Sequence, residues 1–183
     1  DVYKRQAPDG QIVYGEDGYP LLADDLIYLG DSNPKGKGSF GTEIKYKGIS
    51  LNILFDGQFG GKGYSFTNAM LMEHGKHEKT LSGRYNGIIG DGVIENPDGT
   101  YRKNDVVAEE IWTYYTRHGG RENLEGSMFN TDFLKLRELT LSYSFPARIC
   151  KKIGMRKLSV GIYGRDLFMI TNWPAFDPEF GTL

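Results

Sequence analysis

Three histidines, His74, His77 and His118, are the only imidazoles in a chain of 183 residues, and two of them stand in "EHGKHE" at i, i+3 spacing. A metal triad could be assembled from them. The run is not H-E-x-x-H, however, and Gly75 weakens any helix that would align the two rings, so a solvated loop is the better reading. Glu109 and Glu110 beside Trp112, Tyr114 and Tyr115 combine carboxylates and aromatics as a glycosidase would. Neighbouring side chains on a helix diverge by about 100°, which makes a poor acid and nucleophile pair. The glycines of "GQFGGKGYSF" miss the spacing of a phosphate-cradling loop. "GDGVIENPDGT" lacks the twelfth-position Glu of a calcium loop. Cys150 is the only cysteine, which excludes an internal disulfide and a thiolate zinc site. No catalytic residue, metal or cofactor is therefore predicted, and the chain is not read as an enzyme.

If no residue does chemistry, the elements themselves must carry the function. The formal net charge is −2, with neither a basic excess for nucleic acid nor an acidic tail. Mean hydropathy is −0.46, and no apolar run approaches the roughly 18 residues of a spanning helix. Aromatics make up 13% of the chain and glycines number 25, a mix that favours strands and turns. Low hydropathy leaves membrane strands open, since only every second residue of such a strand is apolar.

Four segments alternate. "SFGTEIKYK" (39–47) puts Phe40, Thr42, Ile44 and Tyr46 on one face. "ISLNILFDGQF" puts Ile49, Leu51, Ile53, Phe55 and Phe59 opposite Ser50, Asn52, Asp56 and Gln58, with Leu54 as the exception. Lys47-Gly48 between them predicts a tight hairpin. From Leu139 a third run alternates Leu139, Leu141, Tyr143 and Phe145 with Thr140, Ser142 and Ser144 until Pro146. The fourth places Leu158, Val160 and Ile162 opposite Ser159, Gly161 and Arg165, with Tyr163 on the polar phase. Between the last two, Pro146 and Gly154 frame a helix of about two turns. It carries the basic cluster Arg148, Lys151, Lys152, Arg156 and Lys157, read either as a solvated turn or as a contact for anionic headgroups.

Residues 60–132 differ in character, being rich in Gly, Asn, Asp and charge. Asn104 or Asp105 is expected to cap a helix over "VVAEEIWTYYTRH", ended by Gly119-Gly120. The connections between alternating runs are thus short, very long and short. Membrane barrels show that asymmetry. Trp112, Tyr114 and Tyr115 on the insert could stack on an incoming sugar, but packing the insert onto its neighbours is the simpler role.

"FLKLRELTLSYSFP", a short basic helix and "LSVGIYGRDLFMITNWPAFDPE" together resemble the C-terminal signature of the SusC/RagA family of TonB-dependent outer-membrane transporters of Bacteroidetes. The upstream "GDSNPKGKGSFGTEIKYKGISLNILFDGQFG" is similar to another segment of that family, and the likeness covers about residues 30–180. The resemblance implies an all-β fold: an antiparallel transmembrane barrel of about 22 strands, plugged by an N-terminal domain. About four of those strands would lie here, with a long extracellular loop containing short helices. It also implies import of glycan or peptide cargo at the cell outer membrane, with a SusD-like lipoprotein as lid and TonB pulling on the plug. Neither plug, TonB box nor most strands are in the sequence, so the chain is expected to be a fragment that does not transport alone. Residues 1–6, "DVYKRQ", look like a translated adapter scar and are expected to be non-native. Residues 7–38 then form a loop leading into the barrel, and 39–183 its C-terminal part, truncated at both ends.

Under that reading Ile49, Leu51, Ile53, Phe55, Leu139, Leu141, Tyr143, Phe145, Leu158, Val160 and Ile162 face lipid on the outside of a curved sheet. Ser50, Asn52, Asp56, Thr140, Ser142 and Ser159 face the lumen. The alternative is a soluble β-sandwich that binds carbohydrate, with the same apolar residues in its core. Tyr46, Tyr143 and Phe145 gather at one set of strand ends and Phe55, Phe59 and Phe168 lie towards the other, which favours a membrane wall with two aromatic girdles. Cargo identity would be set largely by loops, plug and lipoprotein outside this sequence.

Overall fold

Alternation becomes strand wherever it was long enough to read. In a computed structural model that describes residues 2–180, the elements run β1 (Val13–Tyr14), β2 (Gly36–Tyr46), β3 (Ile49–Phe59), β4 (Lys62–Tyr64), α1 (Phe66–Glu73), β5 (Ile88–Ile89), β6 (Val93–Glu95) and β7 (Tyr101–Lys103). They continue as β8 (Val107–Ala108), α2 (Ile111–Gly119), β9 (Met128–Asn130), β10 (Phe133–Ser144), α3 (Ala147–Lys152) and β11 (Ser159–Thr171). Strands dominate, helices are short, and among the described residues no helix is long and apolar enough to cross a membrane. The chain divides into two compact units, one made of Asn33–Gly61 with Asn130–Asn172 and the other of the remaining described residues.

The first unit is an antiparallel four-stranded sheet in the order β11-β10-β3-β2, so strands adjacent in the sheet are successive long strands of the chain. Its strands have 11, 11, 12 and 13 residues from β2 to β11. That is the length a tilted membrane strand needs, at 9–11 residues or slightly more. β2 and β3 pair from Tyr46↔Ile49 to Gly36↔Phe59 without a slip. Between them Lys47 (φ 45°) and Gly48 (φ 89°) are both left-handed, the geometry whose twist matches two strands joined by two residues. Gly48 also accepts a 2.7 Å hydrogen bond from the Ser144 amide, which ties the turn to the end of β10.

β10 begins at Phe133, six residues before the alternation becomes strict, because its apolar phase changes at Arg137. Leu134 and Leu136 are even-numbered, Leu139 and Leu141 odd. A bulge between Leu136 and Glu138 absorbs the extra residue, so Leu136 opposes Phe55 and Leu139 opposes Ile53 on the same face. β11 breaks register beside it: Phe168 opposes Leu136 but Arg165 opposes Glu138, with Asp166 left-handed at φ 47° in the extra stretch.

The ends of the long insertion are clasped to one another. Gln58 Nε2 donates to the Thr131 carbonyl (2.8 Å), the Gly60 amide to Asp132 Oδ1 (2.7 Å) and the Thr131 amide to the Gly61 carbonyl (3.0 Å). Beyond α3, where Pro146 precedes the first turn as expected, Gly154 takes φ 73° and turns the chain back towards β11.

The second unit has a small sheet ordered β1-β6-β7, with Val13 opposite Val93 in parallel and Val93 opposite Lys103 antiparallel. Its core gathers Tyr14, Met72, Ile94, Ala108, Tyr114 and Tyr115. Residues 4–6 are part of this unit: Lys4 and Gln6 bridge to Leu22 and Ile12, and Arg5 pairs with Glu95. The helix expected from Asn104 onwards starts only at Ile111. Val107–Ala108 instead pair with Ile88–Ile89 as a short ladder, the conformation β-branched residues favour. Asn104 does not cap a helix: its side chain accepts from the Val106 amide and donates to the Gly90 carbonyl.

A Cβ on residue 48 would sit 2.7 Å from the Ser144 carbonyl oxygen in a left-handed backbone, whereas one on Gly38 would meet nothing within 4 Å. Gly48→Val is therefore expected to cost about 1–3 kcal/mol and Gly38→Ala much less, measured by denaturant titration of the folded protein.

Candidate functional site

The four-stranded sheet has two chemically opposite faces, and register decides which residues share each. Across the sheet the rows Tyr46–Ile49–Tyr143–Val160, Ile44–Leu51–Leu141–Ile162, Thr42–Ile53–Leu139–Gly164 and Phe40–Phe55–Leu136–Phe168 are directly opposed neighbours. All lie on one face. Residues that a soluble sheet would cover are open here: Phe40 is 68% exposed, Ile44 54%, Val160 60% and Ile162 72%. Ile49, Leu141 and Tyr143 are exposed as well, while Leu51, Ile53, Phe55 and Leu139 are half-buried among their neighbours. Phe145 and Leu158, assigned to the same face from sequence, fall just beyond the strand ends. The Phe145 amide donates to the Leu158 carbonyl at 2.9 Å and the Phe145 ring meets Tyr143 edge-on at 4.9 Å.

The opposite face collects the polar phase. Ser50 lies between Lys45 and Ser142, Asn52 between Glu43 and Thr140, Asp56 between Ser39 and Lys135, and Ser159 opposes Ser144. These groups bond across strands. Ser39 Oγ donates to Asp56 Oδ1 (3.0 Å), Ser50 Oγ to Glu43 (3.3 Å) and Tyr163 to Glu138 (3.3 Å).

Reading the sequence missed the centre of this face. Arg137, the bulge residue of β10, donates to Asp56 of β3 at 2.5 Å and to Asp166 of β11 at 2.9 Å. One planar guanidinium thus joins three strands through charge-assisted bonds. Lys135 is buried with its ammonium 4.6 Å from the Phe133 ring centre. Arg165 and Glu138 add a more open pair at 3.5 Å. The available signal was the run "KLRE", whose charges fall where the leucine phase shifts.

In the second unit, the three aromatics proposed for cargo contact separate. Trp112 is exposed, but Tyr114 and Tyr115 are buried and unable to stack on a sugar. Tyr114 lies parallel to Tyr14 at 6.5 Å, and Tyr115 donates to the Ser82 carbonyl at 3.1 Å. Tyr14 fits because positions 90 and 92 are glycine: a Cβ on Gly90 would stand 2.3 Å from its ring. Burial raises the Tyr14 and Tyr114 hydroxyls above the ordinary tyrosine range.

The histidines do not converge. His74 Nδ1 contacts the Met70 carbonyl and His77 Nδ1 accepts from the Lys79 amide. His118 Nε2 lies 3.3 Å from the Tyr14 hydroxyl, its ring 4.5 Å from Tyr114. Glu110 accepts from Thr113 at the start of α2 and Glu109 is exposed, so the two carboxylates share no site. Asp98, in the segment that lacks the calcium-loop Glu, accepts from Thr100 in the β6–β7 turn, and those bonds hold it below the usual carboxylate range.

No family model matches the chain. It is 25% identical over 173 residues to TonB-dependent receptor P3 of Formosa agariphila, covering 94% of this chain and 16% of that protein. It is 24% identical over 161 residues to TonB-dependent receptor P39 of the same organism, covering 87% and 14%. The chain therefore spans about a sixth of the length of these curated relatives. Among solved structures it is similar in fold to the RagAB peptide importer in the "closed-closed" state, with a TM-score of 0.60 and 16% identity over 99% of this chain and 20% of that one. A second structure of the RagAB peptide transporter gives a TM-score of 0.60 at 17% identity.

Burial, and secondarily the nearby Lys4, push the His118 imidazole down to about 4. A depressed folded value means that an opened state binds more protons between about pH 4 and 6.5, so stability falls as pH falls through that window. Local opening of α2 is expected to become easier by about 2–3 kcal/mol across it. His118→Phe should flatten the dependence. Hydrogen exchange of the α2 amides, corrected for intrinsic rates, measures both.

Proposed function

We propose that this chain, a segment of a SusC/RagA-type TonB-dependent receptor, contributes four neighbouring strands to the transmembrane β-barrel of an outer-membrane nutrient importer. The observation that carries this reading is the pairing of a continuous, exposed apolar face with a cross-linked polar face on one meander. A water-soluble sandwich would have to cover Phe40, Ile44, Val160 and Ile162 with a second layer; lipid tails do so without one. Ile49, Leu51, Ile53, Phe55, Leu139, Leu141, Tyr143, Phe145, Leu158, Val160 and Ile162 are assigned to lipid. Ser50, Asn52, Asp56, Thr140, Ser142 and Ser159 are assigned to the lumen, with Arg137 and its carboxylates. The aromatics support the same orientation: the row from Tyr46 to Tyr143 and the row from Phe40 through Phe55 to Phe168 stand about 20 Å apart along the strands.

The parent receptor is proposed to take up glycan or peptide with a SusD-like surface lipoprotein, driven by TonB through its plug. Residues 60–132 are assigned to the extracellular side and the turns at Lys47-Gly48 and 146–157 to the periplasmic side, because each spanning strand switches sides. Of the three aromatics on α2, Trp112 is the one left open to cargo.

In the full-length receptor folded into lipid vesicles, Leu51→Arg and Leu141→Arg are each expected to cost about 2–4 kcal/mol near the midplane. Asn52→Arg and Ser142→Arg should cost much less; equal losses in both sets would remove the membrane wall. A protease site placed at Gly99 is expected to be cut on intact cells, and one at Lys152 only after the outer membrane is permeabilised. Cleavage of Lys152 alone would invert the orientation.

A further inference from the structure

We infer that the end of the sheet carrying the short connections holds a binding site for an anionic phospholipid of the periplasmic leaflet. This rests on the assignment of the apolar face to lipid. Two features meet there. The first is a groove of about 370 Å³ in the apolar face, lined by Ile49, Leu141, Tyr143, Val160 and Ile162. It opens where β3 begins, β10 ends and β11 begins, and its volume is in the range of small-molecule sites.

The second is a concentration of positive charge one step further along the strands. Tyr143 and Val160, which line the groove, oppose each other; Ser144 and Ser159 form the next rung, and Phe145 and Leu158 close the ladder. The connection that leaves from that point, residues 146–157, carries Arg148, Lys151, Lys152, Arg156 and Lys157, and residues 144–158 contain no Asp or Glu. All five cations are exposed. Lys47 joins them, because the Gly48 carbonyl of its turn accepts from the Ser144 amide. None of the six forms an ion pair among the described residues.

An apolar slot ending at a cluster of cations matches a molecule that is apolar at one end and anionic at the other. An acyl chain lies in the groove while its phosphate meets the guanidinium and ammonium groups. A zwitterionic lipid would fill the groove but leave the cations uncompensated, so the site discriminates by headgroup. α3 sets the geometry: Pro146 precedes it as the chain leaves β10, and Gly154 turns the chain back towards β11, so that all five cations lie on the one short connection between the two strand ends.

The test uses the full-length receptor in phosphatidylcholine vesicles containing a minor fraction of lipid brominated on its acyl chains, either phosphatidylglycerol or phosphatidylcholine. Quenching of a tryptophan introduced by Val160→Trp, beyond that of the unsubstituted receptor, reports lipid in the groove. Ile53→Trp, higher on the same face, reports lipid contact in general. The expected result is equal quenching by both lipids at position 53 and several-fold preferential quenching by phosphatidylglycerol at position 160. That preference should fall at least about fivefold when Lys151, Lys152 and Arg156 are all changed to Gln, should weaken with salt, and should be unchanged by added inorganic phosphate.

No quenching at position 53 by either lipid would overturn the membrane-wall assignment itself. Quenching at 53 without headgroup preference at 160 would leave that wall standing and overturn the lipid site. A preference that survives the triple neutralisation would overturn the role of the basic loop, and one abolished by inorganic phosphate would make this a phosphate site instead. The three substituted side chains are exposed. Receptor folding is checked in each case by far-UV circular dichroism.

Discussion

The sheet depends on how Arg137 is accommodated. A strand of period two can keep its apolar residues on one face only while its numbering stays in phase, and β10 changes phase halfway. A bulge restores the face but leaves one residue outside the strand register. Here that residue is an arginine, and it sits between carboxylates of the strands on either side, Asp56 and Asp166. The same event accounts for the interrupted register of β11, where Asp166 takes a left-handed conformation. Hydrogen bonds to charged groups contribute about 1.5–3 kcal/mol each when sheltered. Arg137 is about one-fifth exposed, so solvent screens only part of that. Without a compensated bulge, either the lower or the upper half of β10 would turn its leucines to the polar face.

Two solutions to burial operate in the chain. The second unit has a conventional core in which Tyr14, Tyr114 and Tyr115 supply bulk and bond their hydroxyls, and Glu73 is gripped by both arms of Arg121 at 2.6 and 2.8 Å. In the four-stranded sheet, polar groups bond to one another on one face and apolar groups are left open on the other. That division inverts the usual rule for a water-soluble sheet, and it fits a wall whose apolar side meets hydrocarbon and whose polar side meets water.

How much of this was legible follows from length and period. β3 and the turn before it could be delimited to the residue because the alternation from Ile49 to Phe59 is broken only at Leu54 and glycine marks the turn. The beginning of β10 could not, since a phase change at Arg137 looks in sequence like an end of strand rather than a bulge. β1 and β5 to β8 span two or three residues each, too few for any period to appear. Val107–Ala108 lay within a stretch that reads as helix, and its pairing with Ile88–Ile89 depends on a partner about twenty residues away. Burial of Tyr114 and Tyr115 but not Trp112 was hidden too, because it is set by where a nine-residue helix meets its neighbours. Alternation identified the polar and apolar phases and the resemblance to a transporter family assigned them to lumen and lipid, but neither pointed to the Arg137 strap.

The clasp between Gln58–Gly61 and Thr131–Asp132 separates the fate of the insertion from that of the sheet. The hydrogen bonds that close it come from residues at the insertion's ends, and β3 and β10 pair with each other from Gln58↔Phe133 to Ile49↔Tyr143. Such a junction works like a socket: a shorter or wholly different excursion could be exchanged there provided its two ends emerge side by side. Lineages carrying this sheet would then be free to diversify what is displayed between β3 and β10 at a rate uncoupled from the strands that hold it. Variation in length should concentrate in that interval and stop abruptly at its two edges.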